Sequence, residues 1–350
     1  MPPSTSSSVS SDPAAARPTP LPAALQDRIG EALRQRRGGY CGRFAPSPTG
    51  RLHRGNLRTA LLSWLDARLQ GGRWLLRIDD LDTPRNRPGA SEAIMADLRW
   101  LGLHWDGPVV RQSERRGLHG SVLSSLRRAG LLYPCRCSRR MLADLSAPHG
   151  GLAVYPGTCR ALPPQWGPQL GRLPSWRLRL QPGAIRWQER FGRPGILDAA
   201  SAVGDPVLRR ADGFLAYHLC TAVDELALGI SDVVRGDDLW SSTAPQVALM
   251  AALGQVAPRY GHVPLLRDSA GGRLCKREGA EGLAGLQARG FDAAGVVGAL
   301  AASLDLVPPG SRLSVAELLA SLDAERFRRA ILGQRPRPAE EHSDPQRIDA

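Results

Sequence analysis

The sequence predicts an α/β protein: a Rossmann-like parallel sheet, split by a cysteine-bearing insertion and followed by short helices. Three observations lead there. Residues 40–132 alternate short apolar runs with amphipathic patterns, the rhythm of strand–helix–strand units. Residues 133–205 break that rhythm with proline, tryptophan, arginine and three of the six cysteines. From residue 206 the alternation resumes, and the last 70 residues, 281–350, read as helices and a polar tail. A chain of 350 residues can bury a sizeable core and hold two or three domains.

The elements follow in order. Residues 1–39 read as an N-terminal extension, with a disordered Ser-, Pro- and Ala-rich tail over 1–23 and a short helix over 24–37. No hydrophobic region follows a basic start, so a signal peptide is not expected, and no run of 18 apolar residues spans a membrane. Arg43 to Asn56 is a strand entering a Pro/Gly turn and then a helix, with Leu57, Ala60, Leu61, Trp64 and Leu65 on one face. Such a helix start suits phosphate, and His53 and Asn56 stand at its mouth. Arg73–Ile78 is a buried parallel strand that ends in Asp79, Asp80 and Asp82. Carboxylates at that end of a strand lie where ligands bind, although Asp80 and Asp82 also suit a helix cap. A helix is expected over 91–102, a strand over 109–113 and a helix over 120–129.

The insertion carries Cys135, Cys137 and Cys159. Three thiolates this close suit Zn²⁺ better than a secreted disulfide framework. A fourth ligand is required, and His149 is a chemically ordinary candidate. Arg136, Arg139, Arg140, Arg160, Arg177 and Arg179 are candidate phosphate contacts, each of which also reads as a plain solvated side chain. Residues 207–218 read as a hairpin and a helix start holding Tyr217, which also fits a core aromatic. Residues 229–238 form a strand ending at Arg235-Gly-Asp-Asp, where Arg235 either meets a ligand or pairs with Asp237 or Asp238. Helices are expected over 283–286, 293–304, 315–322 and 325–332.

Charge points the same way. The net charge of +13 favours a polyanionic partner, though a general arginine bias also produces it. Lysine and arginine total 46, and Lys276 is the one lysine among them. It sits in Gly271-Gly-Arg273-Leu-Cys275-Lys276-Arg277, where a compact ammonium on a flexible stem serves a moving phosphate better than a planar fork.

Together, His53-Arg-Gly-Asn56 and Arg273-Leu-Cys-Lys276-Arg277 resemble the two signature motifs of class I aminoacyl-tRNA synthetases. Residues 42–106 resemble glutamyl-tRNA synthetases, and most of all their shortened relatives, the glutamyl-Q tRNA(Asp) synthetases. The resemblance covers roughly residues 40–280 and rests on several motifs in the right order. It implies a class I Rossmann-like catalytic domain in two halves, 40–132 and 206–280, with the insertion at 133–205 facing the nucleic-acid acceptor. It also implies a short helical region without an anticodon-binding domain.

The resemblance implies ATP bound by Pro46, His53, Gly55, Asn56, Arg273 and Lys276, with His53, Asn56 and Lys276 catalytic. L-glutamate would meet Arg43, Phe44, Ala45, Pro46, Ser47, Asp79, Tyr217 and Arg235. Two arginines and one acid match a substrate with two carboxylates and one ammonium. One structural Zn²⁺ would bind Cys135, Cys137, Tyr155 and Cys159, and Mg²⁺ would accompany ATP. The implied acceptor is queuosine in tRNA(Asp); a cytoplasmic monomer is expected. Asp79 is one methylene shorter than the family's glutamate, and Arg273 and Cys275 replace the usual lysine and serine. The rival expectations are an ordinary glutamyl-tRNA synthetase with an abbreviated C-terminus, a catalytically dead tRNA-binding paralogue, and a nucleotidyltransferase acting on another acid.

Overall fold

The computed structural model describes residues 21–138, 141–142, 154–266 and 282–334. Its centre is a set of parallel strands. β1 (Cys41–Phe44) pairs with β2 (Arg73–Ile78), which pairs with β3 (Val110–Arg111). On the other side, β9 (Asp232–Gly236) pairs in parallel with β10 (Arg259–Val263). Ser231 joins β9 to β1: its N–H donates to the Cys41 carbonyl at 2.9 Å, and its Oγ accepts from the Cys41 N–H at 2.8 Å. The spatial order β3-β2-β1-β9-β10 therefore reverses between β1 and β9. In open α/β sheets, ligands bind beyond the carboxyl ends of the strands at that reversal.

β1 and β9 are buried at every residue, which places Arg43, Asp232 and Arg235 in the interior, each with hydrogen-bond partners there. Between β1 and β2 runs α2 (Arg54–Leu69), whose apolar face, including Leu57, Leu61 and Leu65, is wholly buried. α3 (Ala90–Trp100) and α4 (Arg116–Arg128) complete the first half. The strand expected over 109–113 shortens to two residues. Asp80 accepts from the Ser113 N–H and hydroxyl, both at 2.7 Å, and so closes a helical turn over Gln112–Arg115. α1 (Ala23–Arg36), within the N-terminal extension, packs Leu25 at 0% exposure into the cluster that holds Val122 and Leu226.

In the insertion, β4 (Leu132–Cys135), β5 (Ser175–Leu178) and β8 (Val207–Arg209) form an antiparallel sheet. This sheet takes in residues just outside 133–205 at both ends. β6 (Ala184–Trp187) and β7 (Gly195–Asp198) form a hairpin beside it. Asp205, 4% exposed, binds the sheet together. It accepts from the Tyr133 hydroxyl (2.7 Å), from Arg160 (2.7 and 2.9 Å) and from the Leu180 N–H (2.8 Å). The preceding residue, Gly204, has φ +67°, and a Cβ there would lie 2.7 Å from the Tyr155 nitrogen. Glycine is thus required both by the backbone and by the close passage of Tyr155.

The second half continues with α5 (Tyr217–Ala227) and α6 (Thr243–Ala252). The expected C-terminal helices are present as α7 (Leu283–Ala288), α8 (Ala293–Ala302), α9 (Val315–Ala320) and α10 (Ala324–Gly333). Their buried residues, Leu286, Val297, Leu318 and Phe327 among them, share one cluster with Leu61 of α2 and Leu98 of α3. Asp205→Ala leaves Arg160 and the Tyr133 hydroxyl without their carboxylate. The variant is expected to lose about 3 kcal/mol in urea unfolding followed by tryptophan fluorescence, and a loss under 1 kcal/mol would refute the anchoring role.

Candidate active site

The strand ends at the reversal open on a cavity of about 440 Å³ lined by Arg43, Phe44, Ala45, Pro46, Ser47, His53, Gly55, Asn56, Tyr217 and Arg235. Ten of the residues expected from sequence thus meet on one surface. Asp79 lines a second cavity of about 490 Å³, which extends toward Tyr155 and Arg177 of the insertion. Ser47 and Tyr217 line both cavities, so the two adjoin there. Arg273, Cys275 and Lys276 lie outside the described residues, as do Arg139, Arg140 and His149.

His53 is the N-cap of α2. Its Nδ1 accepts from the N–H groups of Gly55 (3.1 Å) and Asn56 (3.3 Å). Two of the helix-start donors expected to meet phosphate are therefore taken by the imidazole itself. Acceptance at Nδ1 places the proton of the neutral ring on Nε2, the form able to donate to a phosphate oxygen. His53 also makes an antiparallel backbone bridge to Gly282, the first described residue after the Lys276 segment.

Beneath the cavity lies a buried charge network. Arg43, on β1, sets its Nε 3.0 Å from Oε1 of Glu225 on α5 and donates to the Val234 carbonyl at 3.3 Å. Arg77, on β2, holds both oxygens of Asp79 (2.6 and 3.1 Å) and approaches the same Glu225 oxygen at 3.4 Å. Burial raises the Asp79 carboxyl above the usual range, and the Arg77 charge opposes that shift. Next to Glu225, Asp224 accepts from Gln112 (2.9 Å) and Arg115 (2.6 Å) and contacts His119 Nε2 (3.1 Å). Burial alone would raise Asp224, but the His119 hydrogen bond and the charges of Arg77, His119 and Arg115 hold it down to about 2.

Arg235, 3% exposed, does not pair with Asp237 or Asp238 through any of its three hydrogen bonds. Those bonds go to His262 Nε2 (3.2 Å), Gln246 Oε1 (3.0 Å) and Thr243 Oγ1 (2.7 Å). Phe44 stacks on Trp74 with centroids 6.2 Å apart, and Tyr217 is 42% exposed at the junction of the two cavities rather than in the core.

The three sulfur atoms of Cys135, Cys137 and Cys159 lie within 4.8 Å of one another. Cys137 and Cys159 are 3.7 Å apart, and the Tyr155 hydroxyl lies 3.4 Å from Cys135 and 3.8 Å from Cys137. A tetrahedron built on Zn–S bonds of about 2.3 Å has S···S edges of about 3.8 Å, so this donor set fits the metal. The Tyr155 oxygen also accepts the Cys159 N–H at 2.8 Å, and Arg177 covers its ring at 3.6 Å. Four arginines considered as phosphate contacts serve the insertion instead. Arg136 binds the carbonyls of Gln165, Gly167 and Arg172; Arg160 pairs with Asp205; Arg177 binds the Asp205 carbonyl; Arg179 binds that of Arg160.

Sequence reasoning passed over Glu225, Asp224 and His262. The signal for the first two was present: adjacent carboxylates inside the apolar helix YHLCTAVDELA. A buried acid is retained only where it is paired.

Known proteins resemble this chain over most of its length. The family model of the class I tRNA synthetases (E and Q), catalytic domain, matches residues 41–293. The chain belongs to that family. At 56% identity over 307 residues, it resembles a glutamyl-Q tRNA(Asp) synthetase of Prochlorococcus marinus strain MIT 9313, with 88% of this chain and 95% of the relative covered. A glutamyl-Q tRNA(Asp) synthetase of Symbiobacterium thermophilum is 45% identical over 304 residues, covering 83% of this chain and 94% of the relative. Among solved structures, a glutamate tRNA ligase from Elizabethkingia meningosepticum in complex with its amino acid aligns with a TM-score of 0.68 and 27% identity. That alignment covers 81% of this chain and 65% of the ligase's.

The Asp224 cluster has a pH signature. Its carboxyl titrates near 2 when folded, against about 3.9 unfolded. Its contribution, about 2 kcal/mol, is therefore present above pH 4 and is lost as pH falls toward 2. The stability difference between the natural protein and Asp224→Asn should shrink between pH 4 and 2 in urea titrations. A difference independent of pH would overturn this assignment.

Proposed function

We propose that this protein activates L-glutamate with ATP and transfers the glutamyl group to queuosine in tRNA(Asp). The observation that carries the reading is the cavity at the sheet reversal, where His53, Arg43, Tyr217 and Arg235 converge in a chain this similar to glutamyl-Q tRNA(Asp) synthetases. In the first step a glutamate carboxylate oxygen attacks the α-phosphorus of ATP and pyrophosphate leaves. In the second, a hydroxyl of the queuosine cyclopentenediol attacks the activated carbonyl, the ester forms, AMP leaves, and the proton passes to the departing phosphate. No covalent bond to the enzyme is required, so catalysis consists of positioning and charge stabilisation.

His53 Nε2–H, Asn56 and Gly55 take the nucleotide side of the cavity, with Pro46 beneath. Lys276 and Arg273 would neutralise the phosphates in the transition state. Arg43 and Arg235 receive the two carboxylates of glutamate. Asp79 and Tyr217 receive its ammonium at the junction of the cavities, with Phe44, Ala45 and Ser47 forming the wall. Asp238 is the one carboxylate among the described residues lining the 440 Å³ cavity, so Mg²⁺ would be held chiefly by the phosphates. One Zn²⁺, bound by Cys135, Cys137, Cys159 and Tyr155, would brace the insertion with no open coordination position. The 490 Å³ cavity between that insertion and the junction gives the acceptor its approach.

Glutamate-dependent ATP–pyrophosphate exchange without tRNA, followed by glutamate uptake into queuosine-containing tRNA(Asp) but not its queuosine-free form, is the expected result. Exchange only with tRNA present, or charging of the 3′ end of tRNA(Glu), would replace this reading with an ordinary glutamyl-tRNA synthetase. Lys276→Ala should slow exchange at least about 100-fold with tRNA binding retained. Purified protein should hold one zinc. Tyr155→Phe should lower the zinc content and His149→Ala should not, and the reverse pattern would transfer the fourth ligand to His149.

A further inference from the structure

The Arg235 guanidinium is held by a side-chain relay that begins in the insertion. Between β6 and β7 the chain folds back along β10. The Tyr260 N–H donates to the Gln188 carbonyl at 2.9 Å, and the Arg190 N–H to the Tyr260 carbonyl at 2.6 Å. Gly261 allows this approach, since a Cβ there would sit 2.6 Å from the Phe191 ring. The fold-back delivers Glu189, whose side chain is 1% exposed, against His262, which is 0% exposed. Glu189 Oε1 accepts the His262 N–H at 2.9 Å, and Oε2 lies 2.7 Å from His262 Nδ1.

Both carboxylate oxygens act on one residue, so ring orientation and tautomer are fixed together. The ring proton sits on Nδ1, facing the carboxylate, and the Nε2 lone pair faces Arg235 Nε at 3.2 Å and Thr243 Oγ1 at 3.1 Å. The opposite tautomer would set N–H against N–H. Gln246 and Thr243, both 0% exposed, take the other two nitrogens. Every group accepting from the guanidinium is thus uncharged, and the carboxylate of the relay stands behind the ring. A buried cation held only by neutral acceptors retains its capacity for an anion, and Arg235 lines the cavity.

We infer that Glu189 and His262 are positioning residues that hold Arg235 in the one orientation that accepts a carboxylate and rejects a carboxamide. The inference rests on Arg235 receiving the side-chain carboxylate of the substrate. A carboxamide turns an NH₂ toward a guanidinium that cannot rotate away, leaving donors unpaired in a buried site. Selection of glutamate over glutamine is then set partly by a residue of the insertion.

The test is pyrophosphate exchange by the full-length protein with glutamate and with glutamine, normalised to active sites by the adenylate burst. Glu189→Gln can satisfy only one of the two His262 donors, and His262→Gln removes the ring, so each interrupts the relay independently. Each should raise KM for glutamate about tenfold, leave KM for ATP within about twofold of the natural protein, and lower the glutamate-to-glutamine ratio of kcat/KM by a similar factor. If one variant fails to fold, the other decides. Unchanged KM for glutamate with a smaller active fraction would mean a merely structural role and overturn the inference. Arg235→Gln separates the two levels: if it too leaves KM for glutamate unchanged, the assignment of Arg235 to the substrate carboxylate fails first.

Discussion

One carboxylate oxygen, Oε1 of Glu225, holds two strands of the first half, β1 and β2, to a helix of the second. Arg43 of β1 and Arg77 of β2 both point at it, and Glu225 itself is 1% exposed. Removing such charges from water costs several kcal/mol each, which only close pairing offsets. The arrangement is therefore a matter of specificity more than of raw stability. It fixes where β1 and β2 end relative to α5, and those ends form the floor of the cavity. Asp224, the preceding residue, does the same for α4 and the turn that leads into it, through Gln112, Arg115 and His119.

The insertion is held together by polar contacts and close backbone approach, and its fold-back ties it to the parallel sheet. Asp205 gathers Tyr133, Arg160 and Leu180, Gly204 admits Tyr155, and the fold-back at Glu189 reaches β10. Arg136, Arg160, Arg177 and Arg179, each of which the sequence offers as a phosphate contact or a solvated side chain, bond within the insertion. Arg127 illustrates the same economy on a neighbouring helix, lying 4.2 Å from the Trp166 ring and 5.1 Å from that of Trp176. In an arginine-rich protein, cation–π and carbonyl contacts draw on many guanidinium groups before any reaches solvent or RNA.

Much of the fold was legible in the sequence because local rules govern it. Arg73–Ile78, with its apolar Trp-Leu-Leu and Ile78, became β2 with the expected bounds, and the helical period after His53 became α2. The cavity wall from Arg43 to Asn56 was legible because a strand, a turn and a helix start are contiguous in the chain. What escaped depends on contacts between distant segments. Nothing local marks Glu189 as the partner of His262, 73 residues later, or Glu225 as the partner of Arg43, 182 residues earlier. The strand at 109–113 was cut short by Asp80, which captures Ser113 from 33 residues upstream.

The bridge between His53 and Gly282 bears on kinetics as well as on shape. Lys276 precedes Gly282 by six positions in the sequence, and a tether of six residues spans at most about 22 Å. A group tethered on that scale has an effective concentration in the millimolar range at its target. In the proposed function the single lysine of the protein would meet the nucleotide as an intramolecular reagent, and a free amine supplied in solution would have to reach comparable concentration before it could substitute for that ammonium.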